Sequence, residues 1–388
     1  MTFQQSNSRL YLLITMGMLS AFGPFVTDFY LPSLPSIAGY FSTSASMVQL
    51  SLTSSTLGLG LGQLIIGPVS DKYGRRVPLL GSLGLFIVST AACIFSWSMG
   101  SFILFRFIQG VAGSGGVVIS KSVAADLYIG NNLTRFFSML MVVNGLAPIT
   151  APVFGGLMMK FTNWQGIFFA LTILGVVLFV LSVPFKETLL IERRIRGSVF
   201  SSFKSFAPIL KHKKFMFFVI AQSCSMGVMF AYISSSPFIL QEHYNLSPLV
   251  YGMCFALNAI GIMAGSWLAG LQSAERSLIT GAVILVTMAV VLAVFLFTNS
   301  NIYFVEASLV IMMISLGMIL PPSSSLAMDM ERKNSGSASA VLGFLPFFTG
   351  GIVTPLVGLG NMIFSTSLTI IISAVLTSVF IKFALSKA

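Results

Sequence analysis

Apolar runs of about 20 residues recur along this chain, each long enough to cross roughly 30 Å of hydrocarbon as a helix. Twelve can be traced, the first over residues 10–33 and the last over 363–381. Backbone N–H and C=O groups in hydrocarbon must be satisfied within the protein, so runs of this length are read as helices. Composition points the same way. Of 388 residues, 56% are hydrophobic and 8% are charged, about a third of the charge that a soluble domain carries. The first run follows Arg9 and continues through Asp28 and Pro32 without a small-residue cleavage site. It is predicted to be a membrane helix rather than a removable signal peptide.

The formal charge of +11 is distributed by side. With the N-terminus placed in the cytoplasm, 19 of the 21 Lys and Arg fall in or beside cytoplasmic segments. Lys160 falls outside and Arg106 lies within a helix. Eight of the 19 occupy the stretch Lys186 to Lys214, and without them the bias is still eleven to one. That is the positive-inside pattern, and it predicts both termini in the cytoplasm. The basic balance therefore reads as topology and carries no nucleic-acid footprint.

The same basic stretch divides the run order six and six. The expected organisation is an N-terminal six-helix bundle over residues 1–185, a basic cytoplasmic linker over 186–214 and a C-terminal six-helix bundle over 215–388. Landmarks repeat between the halves: Pro32 with Pro237, Pro152 with Pro355, and Gly67 with Gly270 stand 205, 203 and 203 residues apart. A duplicated six-helix unit is an arrangement common in transporters that rock two halves about a central site.

Chemistry-bearing residues are few. Cys93, Cys224 and Cys254 lie scattered in apolar runs with no CxxC pairing, and His212 and His243 sit in loops on opposite sides. No metal site, disulfide framework or catalytic set follows from them, and the chain is not expected to be an enzyme. Ionisable groups within membrane helices are costly and are functional candidates by default. Asp28 is set four residues from both Pro24 and Pro32. Pro32 has no N–H, so the Asp28 carbonyl loses its helical partner. A proton-carrying carboxylate in a cavity and a carboxylate solvated at a helix end are both consistent with this placement. Arg106 cannot shed its charge and needs a partner or water. Asp28 is the acid at similar depth in the first half, whether the pair serves transport or only ties two helices together. Glu306 follows the polar turn TNSN closely and is read as an interfacial carboxylate.

In NGLAPITAPVFGG, Asn144, Pro148, Pro152 and Gly156 are spaced by four, as are Ala147, Ala151 and Gly155. One face has broken hydrogen bonds, and beside it a small-residue face allows close helix approach. A hinge between halves and a kinked packing helix fit equally well. The glycines at 58, 60 and 62 and at 110, 113, 115 and 116 lack a GK[ST] sequence and suit helix packing rather than phosphate binding.

Several stretches together resemble the major facilitator superfamily, in its twelve-helix drug/proton antiporter branch and most nearly its Bcr/CflA type. GPVSDKYGRR (67–76) fits the loop 2–3 signature G-x-x-[SA]-D-[RK]-x-G-R-[RK], and RFIQGVAGS (106–114) fits the helix-four signature RxxQG. The helix-five signature GxxxGPxxGG is met in part, with Ala147 and Ala151 in place of two glycines and Pro152, Gly155 and Gly156 retained. TDFYLPSLP (27–35), AYISSSPF (231–238) and FALNAIG (255–261) resemble the type's helices one, seven and eight. Trp164–Gln165 stands where such proteins commonly have Trp–Arg, so no role for that arginine carries over.

The resemblance implies an all-α fold of twelve transmembrane helices in two pseudo-symmetric bundles, in a bacterial inner membrane. It implies proton-coupled export of small lipophilic or amphiphilic compounds by alternating access. Export or symport of a specific metabolite, such as a siderophore or amino acid, is the alternative. Asp28 and Arg106 would couple protons, and with Asn144, Tyr232 and Asn258 would bind substrate in a cavity lined by Phe and Met. Pro148, Pro152, Gly155 and Gly156 would form the helix-five hinge. Gly67, Asp71, Gly74, Arg75, Arg76 and Asp126 would form a cytoplasmic gate. Within it, Gly67–Pro68 would end a helix, Arg75 would pair with Asp126, and Asp71 would face the start of helix eleven near Ser335–Ser337. The expected partners are a small-molecule substrate, protons and the bilayer, for a monomeric chain with no cofactor or metal.

Overall fold

The computed structural model describes residues 8–128, 130–194, 206–331 and 335–386. They are helical almost throughout. The order is α1 (Arg9–Asp28), a 3₁₀ turn (Leu31–Ser33), α2 (Leu34–Tyr40), α3 (Ala45–Tyr73), α4 (Arg76–Ile94), α5 (Met99–Leu127), α6 (Gly130–Met158) and α7 (Trp164–Ser182). After the short α8 (Phe206–Lys211) come α9 (Lys213–Phe238), a π-helical turn (Ile239–His243), α10 (Pro248–Gly270), α11 (Ala274–Phe297), α12 (Ile302–Met330), α13 (Ser335–Leu356) and α14 (Met362–Leu385). Ten described spans are long and apolar enough to cross a membrane, and α6 and α13 hold shorter apolar stretches, Gly145–Met158 and Val341–Leu356.

Local sequence explains where many helices begin. Helices α3, α5, α7, α10, α12 and α14 each start behind a Ser or Asn whose side chain accepts a backbone N–H of the first turn: Ser44, Ser98, Asn163, Ser247, Asn301 and Asn361. Each such cap is worth about 1 kcal/mol. The loops they close lie at one end of the bundle, called here the distal end. Helix α4 has no such cap; Glu187, beyond α7, reaches back to accept the N–H groups of Arg75 at 2.8 Å and Arg76 at 3.2 Å.

Glycines set the closest helix pairs. A methyl on Gly58 of α3 would meet the carbonyl of Phe107 on α5, and one on Gly110 of α5 would meet the carbonyl of Ser55. In the second half, α10 and α12 repeat this: Gly261 approaches the Val310 carbonyl, and Gly265 the Ile314 carbonyl. Gly58 and Gly62 stand 203 residues before Gly261 and Gly265, the offset of the proline landmarks. The contacts between the two sets of helices follow the same relation, since α3 packs on α13 and its counterpart α10 packs on α6.

One helix boundary departs from expectation. Gly67–Pro68 does not end a helix; α3 continues through Pro68 to Tyr73. The proline removes one N–H without forcing a stop, and Ser70 Oγ donates to the Gly67 carbonyl at 2.8 Å. The stop is Gly74, whose φ of +92° suits a residue without a Cβ.

Candidate functional site

The break in α1 organises the first half of the site. The helix ends at Asp28; the Phe29 N–H still donates to the Phe25 carbonyl at 3.2 Å, and the carbonyls after it lack following helical N–H donors. Arg106 of α5 fills one of them. Its Nη1 and Nη2 donate to the Val26 carbonyl at 3.3 and 3.2 Å, and Nη2 also donates to Ser55 Oγ at 2.8 Å. Nη1 further donates to Gln109 Oε1, and Gln109 Nε2 donates to Thr90 Oγ1 at 2.8 Å. The guanidinium lies 4.1 Å from the centroid of the Tyr30 ring and 5.7 Å from that of Phe168. Arg106 is wholly buried and held by oxygen dipoles and aromatic faces.

The expected pairing of Arg106 with Asp28 is therefore corrected. Among the described residues no ion pair joins them, and the arginine instead holds the carbonyl two residues earlier. The free end of α1 offered a closer acceptor than the carboxylate. Asp28 is 6% exposed and accepts from Thr27 Oγ1 at 2.9 Å. Signals for Arg106's other partners were present in sequence only for Gln109, which follows by one helical turn in RxxQG. Ser55 and Tyr30 come from other elements.

The second half carries a buried polar cluster. Asn258 Nδ2 of α10 donates to Glu306 Oε1 of α12 at 2.8 Å and to the Tyr232 hydroxyl of α9 at 3.1 Å. Glu306 is 9% exposed, so the interfacial reading of this residue is also corrected. Its closeness to the TNSN turn misled, because α10 extends past the start of α12 and covers it: Asn258 is ten residues into α10, Glu306 four into α12. Tyr251, also on α10, is wholly buried. Tyr251 shares a hydrogen bond with Ser236 of α9, between their hydroxyls at 3.4 Å. The side chain of Asn144 lies outside the described residues.

Helix α6 seals this region at the distal end. Gly155 lies against the Phe29 carbonyl at the α1 break, and Gly156 against the Pro248 carbonyl that opens α10. Gly252 of α10 lies in turn against the Pro152 carbonyl. Pro148 and Pro152 are inside α6 without ending it. Gln49 Nε2 donates to the Ser234 carbonyl at 3.0 Å and Ser46 Oγ to the Pro355 carbonyl at 3.3 Å, both across the two sets of helices.

The charged loop at the other end is a charge network within the first half. Arg75 Nε and Nη2 donate to Asp126 Oδ2 and Oδ1 at 2.8 and 3.2 Å, and Nη1 donates to Ser70 Oγ at 2.8 Å and Asp71 Oδ1 at 2.5 Å. Burial would lower the Arg75 pKa, but hydrogen bonds and charge from Asp126 and Asp71 outweigh it and hold the guanidinium above its ordinary value. Thr188 Oγ1 donates to Asp126 Oδ2 at 3.1 Å, and Arg76 Nη2 to the Val183 carbonyl at 2.8 Å. Glu187 packs where a Gly74 Cβ would be. Asp71 is partnered by Arg75; the side chains of residues 335–337, which it was expected to face, lie outside the described residues.

Comparison with known proteins identifies the class. The Major Facilitator Superfamily profile matches residues 13–355, and the chain belongs to that family of transporters. It is 41% identical to an uncharacterized MFS-type transporter, YdgK, of Bacillus subtilis, over 91% of this chain and 90% of that one. It is 28% identical to a bicyclomycin resistance protein homolog of Haemophilus influenzae, again over 91% and 90%, in line with the Bcr/CflA resemblance. Among solved structures, the partially occluded inward-open xylose transporter XylE of E. coli superposes with a TM-score of 0.77 at 13% identity, covering 97% of this chain and 98% of that one. This last likeness concerns the fold.

Proposed function

We propose that this protein is a proton-driven exporter of small lipophilic or amphiphilic compounds, crossing a bacterial inner membrane twelve times with both termini in the cytoplasm. Drug-resistance names among its relatives support export, and the charge bias of the loops supports the orientation. With that orientation the distal end is extracytoplasmic, and the glycine contacts there support reading the structure as an inward-facing state.

The observation that carries proton coupling is Asp28: a carboxylate 6% exposed, at a helix break, with no cation paired to it among the described residues. Burying an ionised carboxylate without a partner costs several kcal/mol. A proton on Asp28 removes that charge, so loading and unloading follow the exposure of the α1 break. Arg106 holds the same break through the Val26 carbonyl and transmits its position to α3 through Ser55 and to α4 through Gln109 and Thr90. One proton crossing 100 mV supplies about 2.3 kcal/mol, enough for a gradient of roughly 50-fold in a neutral substrate. In the outward-facing state Asp71 and the Arg75–Asp126 pair close the cytoplasmic side against the start of α13.

Energised inverted vesicles test the reading. Asp28→Asn should insert normally and lose proton-driven accumulation of substrate; undiminished accumulation would remove Asp28 from the coupling role.

A further inference from the structure

Helices α11 and α14 pack chiefly on α12, α9 and each other, which leaves their far sides to the bilayer. Between them runs a groove of about 700 Å³, lined by side chains between Ile279 and Thr287 on α11 and between Ser378 and Ser386 at the end of α14. That is the volume of a small-molecule site. Its floor is made of small residues, where Ser378 Oγ reaches the Ala282 carbonyl at 3.5 Å. Ile279 and Val283, 55% and 63% exposed, stand along it. Apolar side chains face lipid all round a membrane protein, so their exposure alone selects no ligand. The concavity and the polar groups in it do.

Those polar groups are nearly all turned inward. The hydroxyls of Thr287, Ser378 and Ser386 donate to backbone carbonyls three or four residues earlier, at 2.9, 3.1 and 2.8 Å. That leaves the ammonium of Lys382, in the last turn of α14, and no carboxylate pairs with it among the described residues. An adjoining hollow shares Ile279 with the groove and holds Glu275 and Arg276, at the start of α11. Two cations against one carboxylate leave a net charge of +1 in groove and hollow together. From Ile279 to Thr287 the apolar part runs about 12 Å along α11.

We propose that this groove binds one anionic phospholipid, its phosphate on Lys382 and an acyl chain laid between α11 and α14. The Lys382 ammonium donates to phosphate oxygens, a charge-assisted contact, and Arg276 adds a second cation beside it. The chain covers Ile279 and Val283 and meets no unsatisfied polar group on the floor. Basic pockets between membrane helices select anionic headgroups in this way. The lipid belongs to the leaflet opposite the distal caps, which is the cytoplasmic one in the orientation proposed above. The inference goes beyond transport, since it names a bound component of the membrane outside the path between the halves.

Native mass spectrometry of the purified full-length chain, released from detergent, counts bound lipid directly. Two probes share their chains and differ in charge: dioleoylphosphatidylglycerol is anionic, and dioleoylphosphatidylethanolamine is zwitterionic. In the wild type the first phosphatidylglycerol should bind about fivefold more tightly than the first phosphatidylethanolamine. Lys382→Gln should remove that preference, and Lys382→Arg should keep it. Val283→Phe fills the groove from an exposed position, leaves the charges in place and should weaken both lipids. Equal binding of the two lipids by the wild type, a preference that survives Lys382→Gln, or unchanged binding in Val283→Phe would each overturn the proposal. So would a dimer that phosphatidylglycerol disperses, because it puts a second copy of the chain in the groove. No gradient is involved, so this result and that of the Asp28 experiment stand apart.

Discussion

At the scale of the residue, the site is governed by how each buried charge is accommodated. Arg106 is held by three oxygen acceptors and two rings, an arrangement that uses the planar fork of a guanidinium. A lysine keeps the charge but cannot reach Val26, Ser55 and Gln109 together while lying flat on Tyr30. Arg106→Lys should therefore insert at the wild-type level and lose at least about tenfold in transport, measured in vesicles against protein content. The sequence disclosed that Asp28 and Arg106 were exceptional, because a charge within an apolar run is conspicuous. It did not disclose their partners, since Val26, Ser55 and Tyr30 carry no charge to mark them. Glu306 was visible and misread, because depth was judged from its own helix while its burial comes from α10.

At the scale of the element, the Ser and Asn caps and the glycine contacts explain most of the architecture. Among the described residues, seven helices begin at a side-chain cap one residue before the helix: the six at the distal end, and α11 at Ser273. The close pairs α3–α5 and α10–α12 depend on glycines 203 residues apart, and this relation allows a symmetric prediction. Gly62→Ala and Gly265→Ala, which stand 203 residues apart, each push a methyl into a facing backbone carbonyl, that of Val111 and that of Ile314. Each should cost about 1–3 kcal/mol, seen as a lowered thermal midpoint of the detergent-solubilised protein, with similar losses in the two halves. A loss in one half alone would count against equivalent packing. Helix α4 marks the limit of local reading: its start is capped by Glu187 from more than 100 residues downstream, a contact that no short window of sequence contains.

At the scale of the whole molecule, the proposed cycle has two sets of helices meeting at one end at a time. The distal contacts of α6 with α10, and of α3 with α13, are present here, while the Asp71–Arg75–Asp126 network lies at the other end. Asp71 is half-exposed and tied to Arg75 alone among the described contacts, so it is available to the opposite set when that end closes. Asp71→Asn should shift the population toward the state seen here and slow turnover. Raised reactivity of a cysteine placed near residue 121, at the end opposite the distal contacts, would report it, and unchanged labelling would contradict it. What the sequence by itself determined was the class of fold and which few charges are out of place in hydrocarbon. Those properties follow from run length, caps and charge, all local or additive along the chain. Tertiary structure alone decided that Arg106 serves a carbonyl rather than Asp28, that Glu306 is buried with Asn258, and that Glu187 starts α4. Each of these rests on contact between segments far apart in the chain, where packing selects among several acceptors of similar strength.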